Sequence, residues 1–381
     1  MKTLLTFFAV LALAITCVAQ PSSPVISQVY TFFCNHNLTS CPTGFDPTLA
    51  PIQPSDGNLY VVTWWAGQGN PNAGGTVFRT RGGGQGIVMH TFQPASLNGG
   101  FPNGENPVVG FAEGTDGNLY GVTEQGGANK FGVFYRLAPS GSFQVLYNFC
   151  SMTGCPDGPG PLILATDGNF YGAGGNTIFC MTQQGNWSSL HTLDPSTEGV
   201  ANSLMQASDG NFYGTGALSG DHATIFRVTP SGQFTILQQF SYPTALTSAL
   251  IQASDGYLYG ATNGSGPGTG IFRMSLSGDL QFIHQMTDQE GYEPVQLLQA
   301  SDGNLWGLSD FRNGSFFAIT LGGVSITSGA FNCNTTGCQP QAMTEGQDGN
   351  FYGTAISGGN MPGQNAEGTV FKIAAGLGRH I

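Results

Sequence analysis

Charge is what this chain has least of. Only 8% of its 381 residues are Asp, Glu, Lys or Arg, and ten of them are Lys or Arg, so the net charge is −12. A nucleic-acid surface needs clustered basic residues to neutralise phosphates. Here Arg79, Arg227, Arg273 and Lys372 each follow the Phe of a Val/Ile-Phe pair and are spread along the chain. They make no patch, so nucleic acid is not an expected partner. Beyond the first twenty residues, no apolar run reaches the roughly 20 residues that a spanning helix needs, and no membrane span is expected. A G-x-S-x-G nucleophile motif is absent, as is the alternating acidic loop of an EF-hand. No cofactor is expected.

The composition that remains is unusual in a definite direction. Gly is 59 of 381 residues and aromatics are 11%, with 27 Phe. That mixture suits many short strands joined by tight turns, whereas disorder needs more charge and fewer aromatics. At the N-terminus, Lys2, the apolar run Leu4–Ile15 and the small-residue stretch Cys17-Val18-Ala19 read as a secretory signal peptide, residues 1–19. Its removal leaves residues 20–381 as one domain and moves the net charge to about −13. The expected location is secreted, periplasmic or extracellular.

One phrase recurs seven times: SDGNLY (55–60), TDGNLYG (115–121), TDGNFYG (166–172), SDGNFYG (208–214), SDGYLYG (254–260), SDGNLWG (301–307) and QDGNFYG (347–353). Its aspartates, Asp56, Asp116, Asp167, Asp209, Asp255, Asp302 and Asp348, are spaced 60, 51, 42, 46, 47 and 46 residues apart. Such a period is the size of one propeller blade. Asp-Gly between apolar runs is a hairpin signal, because Gly takes positive φ and Asp bonds its own backbone. The Leu/Phe and aromatic positions that follow alternate faces, so each is expected to bury against a different neighbouring sheet. Each period then carries a strand such as GTVFR (75–79), a PSG-type turn and a Phe-ended strand such as FTILQQF (234–240).

The two ends complete the count. VISQVYTFF (25–33) reads as a fourth strand lacking the other three, and residues 340–373 read as three strands lacking a fourth. The fold class is therefore all-β: a single seven-bladed β-propeller of four-stranded blades, closed by the N-terminal strand completing the last blade. Closure leaves only short, protected edges. Three close cysteine pairs sit after aromatic-rich segments: Cys34 with Cys41, Cys150 with Cys155, and Cys333 with Cys338. Their shared place in three repeats predicts three local disulfides. Metal binding is the competing reading, weakened because His is missing beside two of the pairs. Cys180 is left as a partly buried free thiol.

The stretches DGNLYGVTEQGGANKFGVFYRLAPSG (116–141) and DGNFYGTA…GGN…EGTVFKI (348–373) resemble the GloVer-type tandem-repeat family of exported bacterial proteins, over about residues 25–373. The resemblance implies a repeat fold and an exported location, and no particular activity. Members often end in a surface anchor; the ending AAGLGRHI has no apolar tail, which favours free secretion.

Candidate chemistry is sparse. The seven motif aspartates are turn residues rather than seven acids. His90, His191 and His284 fall in one slot of the outermost strand in separate blades and cannot converge. Three residues before each motif Asp stand Gln53, Glu113, Leu164, Gln206, Gln252, Gln299 and Glu345. This polar ring near the channel either ties blades together or holds a ligand, with Glu113 and Glu345 as its acids. Asp221 and His222 form the one acid–histidine neighbour pair in a loop. Trp64 and Trp65 lie in a long loop on the face that also carries the cysteine pairs, where rings stack on sugars. The expected function is a non-catalytic, monomeric binding or interaction module for a glycan or an extracellular or envelope protein. The alternatives are a polysaccharide-active lyase or hydrolase using channel-mouth acids with His222, and a purely structural envelope or matrix protein.

Overall fold

The computed structural model describes residues 23–375 except 36–40, 49, 68–69, 71, 82–83, 95–99, 151–158, 219–221, 241–245, 264–268 and 361–364. The described residues form strands and no α-helix. They build seven antiparallel sheets, one per repeat. Blade 2 is representative: Glu105–Glu113, Leu119–Gln125, Val133–Leu137 and Phe143–Asn148 run outward in sequence order. Blade 1 has three strands, and its innermost position is reduced to the single pair Ile52–Tyr60. In blade 7 the N-terminal strand Val25–Cys34 lies antiparallel on Asn365–Ala374, with Ser27 opposite Lys372. The ring is thus closed by the first strand, as the half-blades at the two ends predict.

The repeated phrase folds as a hydrogen-bonded clamp. In blade 4, Asp209 Oδ1 accepts the Asn211 amide at 3.0 Å. Its Oδ2 accepts Asn211 Nδ2 at 2.8 Å and the Tyr213 hydroxyl at 3.0 Å. The same aspartate-to-aromatic bond recurs in every blade, with the Trp306 indole donating to Asp302 where the others use Tyr. The aromatic residue therefore has two jobs: its ring is buried and its polar tip locks the turn that precedes it.

Seven apolar clusters each bridge two neighbouring blades. Leu59 packs between blades 7 and 1 while the adjacent Tyr60 packs between blades 1 and 2. The alternation read from the sequence thus holds: consecutive side chains serve opposite interfaces. The Gly after the aromatic has a packing reason. A Cβ on Gly307 would stand 2.2 Å from the tip of the Phe317 ring on the next strand, and one on Gly260 would stand 2.4 Å from Phe272. Blade 1 breaks the rule, carrying Val61 there; its Phe78 ring instead occupies the space over Gly86, whose Cβ would meet it at 2.1 Å.

Cys34–Cys41 and Cys333–Cys338 are disulfides, and Cys150 is disulfide-bonded while Cys155 lies outside the described residues. Cys180 is a free, half-buried thiol.

Gly307→Ala is expected to cost about 1–3 kcal/mol by overpacking. The double variant with Phe317→Leu should recover part of that loss in urea unfolding. Equal midpoints for the single and double variants would contradict the ring-clearance account.

Candidate functional site

The antiparallel blades give the ring two ends. One end, here the turn face, carries the Asp-Gly turns and the third-to-fourth strand turns. The other, the loop face, carries the second-to-third strand loops and the blade-to-blade connections. The candidate residues divide between them. Glu113 and Glu345 end the innermost strands on the turn face, each paired with the start of its second strand. Trp64, Trp65 and His222 lie at the loop face, so no single ligand touches both groups. Asp221 lies outside the described residues.

On the turn face, each ring residue reaches the preceding blade and accepts the backbone N–H just before that blade's motif aspartate. Ser55 donates to Glu113 at 3.0 Å, Thr166 to Gln206 at 2.8 Å and Ser208 to Gln252 at 2.7 Å. Ser254 donates to Gln299 at 2.7 Å, Ser301 to Glu345 at 2.8 Å and Gln347 to Gln53 at 2.7 Å. The hydroxyls of Ser55 and Ser301 donate to the same two glutamates. Leu164 is unable to accept. There Gln183 replaces it, donating to the Thr115 hydroxyl at 2.8 Å and to Gly168 O at 3.3 Å. Both ring carboxylates are thus engaged between blades.

The motif aspartates are likewise committed. Burial tends to raise the carboxyls of Asp56, Asp116, Asp167, Asp209 and Asp348, but the bonds from Asn and Tyr outweigh it and hold them below the usual range. Their tyrosines shift the other way, by burial and by bonding the carboxylate; Tyr120 and Tyr213 are pushed up to about 12.

On the loop face, the tryptophan pair is strapped down by residues 41–47. Phe45 and Trp65 exchange backbone hydrogen bonds at 3.0 and 3.3 Å, and the Trp64 amide donates to Asp46 O at 3.1 Å. The Cys34–Cys41 disulfide packs with Ala66 and Phe45 beneath. The two rings lie 5.8 Å apart at 36°; Trp64 is half-buried and Trp65 is 40% exposed. Next to them, the Asp46 amide donates to Glu367 O at 3.3 Å. Burial raises both carboxyls, Glu367 being raised further by the charge of Asp46. Sequence reading misses this acid pair because Asp46 belongs to no repeat slot and Glu367 stands where blade 1 has Gly74. His222 Nδ1 faces Phe240 O at 3.3 Å within its own blade.

The three outer-strand histidines do not converge, as expected, but two of them clasp neighbouring blades. His284 Nδ1 meets Gly323 O of blade 6 at 2.9 Å, and its Nε2 meets the buried Glu290 at 2.9 Å. His191 makes the same pair of contacts, with Gly232 O and Glu198, both at 3.0 Å. His90 instead stacks on Phe143 at 3.6 Å and 3°, and burial pulls it down to about 4. Burial would raise Glu290, yet bonds from His284, Ser325 and Thr287 hold it at about 2. His284 is raised, chiefly by its bond to Glu290. Among the described residues, no group of three His, Cys, Asp or Glu is placed to hold a metal.

The signs set a pH window. Stability from the depressed Glu290 is present above its ordinary 4.5 and is lost as pH falls toward 2. Stability from the raised His284 is present below its ordinary 6.5 and is lost as pH climbs through the raised value. Glu290→Gln is therefore expected to lower Tm most between pH 4.5 and 6.5. Calorimetry from pH 2 to 9 checks this, and a Tm deficit of constant size would contradict it.

Solved structures with this architecture are distant in sequence. A catalytically inactive variant of virginiamycin B lyase from Staphylococcus aureus, bound to quinupristin, is 14% identical with a TM-score of 0.60, covering 92% of this chain and 99% of the lyase. The periplasmic gluconolactonase of Pseudomonas aeruginosa is 16% identical with a TM-score of 0.56, over 81% of this chain and 96% of that one. The extracellular domain of a hybrid two-component system from B. thetaiotaomicron is 12% identical with a TM-score of 0.59, over 87% of this chain and 40% of that one. These likenesses establish the fold alone. No curated protein matches the chain. The Gloeobacter/Verrucomicrobia repeat model matches residues 25–222 and 200–379, and with the repeat now visible as seven clamped blades, the chain belongs to that repeat family.

Proposed function

We propose that this propeller is an exported binding module, with the tryptophan pair of the loop face as its ligand platform. The observation that carries the reading is the strapped Trp64–Trp65 pair. A large exposed aromatic held by backbone bonds and a neighbouring disulfide is pre-organised, so binding orders little that was free. The flat faces of aromatic rings suit the apolar faces of sugars, and a glycan is the favoured ligand over an envelope protein. Support also comes from what is consumed elsewhere: Glu113, Glu345 and the motif aspartates spend their hydrogen bonds inside the fold. Disulfides agree with export, and residues 1–19 are assigned as the cleaved signal peptide.

A second reading, polysaccharide cleavage, draws on Asp46 and Glu367, two carboxyls raised by burial beside the tryptophans. Burial that raises a carboxyl favours its protonated form, the form that a general acid uses. It replaces Glu113 with His222 as the acid set, since those two stand at opposite ends of the ring.

On a glycan array, the mature oxidised protein is expected to bind a defined set of glycans, and a Trp64→Ala, Trp65→Ala double variant to lose at least tenfold in affinity. Unchanged binding by the variant would remove the platform from the account. Release of shortened sugars, abolished by Glu367→Gln, would move the protein to the second reading.

A further inference from the structure

The turn between the third and fourth strands is the most regular feature of the turn face, and blade 1 departs from it in three residues at once. In blades 2 to 6 the last residue of the third strand is Leu137, Met181, Val228, Met274 or Ile319, each fully buried. Blade 1 has Thr80. The residue that pairs with it is Phe143, Trp187, Phe234, Leu280 or Ser325 in those blades, and Gly86 in blade 1. The residue following the third strand is Ala138, Thr182, Thr229, Ser275 or Thr320 in those blades, and Arg81 in blade 1. Relative to blades 2 to 5, two bulky apolar side chains are therefore replaced by small ones, and a guanidinium is added at the rim.

Beside this turn lies a cavity of about 500 Å³ walled by Asn58, Arg79, Thr80, Arg81, Gln85 and Gly86, with the exposed Ile87 at its edge. Arg81 is held by one bond, while Arg79 is also hydrogen-bonded to Tyr60 and feels the charge of Asp56; with five N–H donors on each guanidinium, both keep donors to spare. Arg81 Nε donates to Asn58 Oδ1 at 2.8 Å, and Arg79 Nη1 donates to Pro139 O of blade 2 at 3.0 Å. Asp56, whose charge acts on Arg79, already accepts three hydrogen bonds from Asn58 and Tyr60. Two positive charges facing one spent carboxylate leave a local excess of one positive charge. Arg79, Arg227, Arg273 and Lys372 stay in separate blades, and it is Arg81, outside that repeat slot, that joins Arg79 at one cavity.

We infer that this cavity is a binding site for a single carboxylate carried on a small polar ligand of the uronic acid class. Planar guanidinium groups match a carboxylate through paired hydrogen bonds. The volume falls in the range of small-ligand sites. The overall charge of −12 disfavours a polyanion, since the field of the whole molecule repels it. The site lies on the turn face, opposite the tryptophan pair, and stands independently of the function proposed for that pair.

The test is a titration of the isotopically labelled mature protein with D-glucuronate, followed by two-dimensional NMR, with glucose as the neutral control. Glucuronate is expected to bind at least tenfold more tightly than glucose and to shift resonances of Arg79, Arg81 and Gly86. Arg81→Gln, at an exposed position, should weaken glucuronate binding at least tenfold with Tm unchanged. Arg136→Gln, in the repeat slot equivalent to Arg79, should leave it unaltered. Equal affinities for glucuronate and glucose, shifts confined to other blades, or undiminished binding by Arg81→Gln would each overturn the assignment.

Discussion

Everything in this ring depends on one side-chain-to-backbone bond repeated between blades. In six of the seven blades, the polar residue three places before the motif aspartate accepts the amide that precedes the preceding blade's motif aspartate. The bond from Gln347 N to Gln53 joins residues 294 positions apart and closes the circle. Each such bond contributes about 0.5–1.5 kcal/mol. Its greater effect is on register, because it fixes where one Asp-Gly turn sits against the next. The apolar clusters between blades supply most of the cohesion, but a greasy interface alone permits sliding.

This arrangement explains why so many acids coexist with so little chemistry. The aspartates are occupied by Asn, Tyr and backbone donors, and the ring glutamates by serines of the preceding blade. Histidines in the outer strands are clasped between a glycine carbonyl and a glutamate, or stacked on Phe143. The chemistry left available lies at places that break the repeat: the Trp64–Trp65 loop with Asp46 and Glu367, and the cavity shared by Arg79 and Arg81. Departures from a repeat are where a repeat protein has room for function.

Much of this was legible in the sequence. Seven Asp-Gly phrases, two half-blades and three cysteine pairs are enough for blade number and closure, because spacing and turn chemistry are local properties. The alternating burial of Leu59 and Tyr60 follows from strand geometry. What stayed hidden required knowing which side-chain atoms meet in space. The tyrosine hydroxyl bond to aspartate, the stand-in of Gln183 for Leu164, and the Glu290–His284 pair all join residues whose sequence offsets are not diagnostic. The arginine cavity depends on Arg81 reaching Asn58, 23 residues away, beside Arg79. Only comparison of equivalent slots in three dimensions exposes that meeting.

The belt of inter-blade bonds has a built-in control in Leu164, which leaves Thr115 without the acceptor that its counterparts enjoy. Residue-resolved amide hydrogen exchange tests it most directly, since hydrogen-bonded amides in a cooperative structure open only with local or global unfolding. The account predicts slow exchange at Ser55, Thr166, Ser208, Ser254, Ser301 and Gln347, and fast exchange at Thr115. Exchange at those six as rapid as at Thr115 would contradict the claim that the belt holds the ring in register.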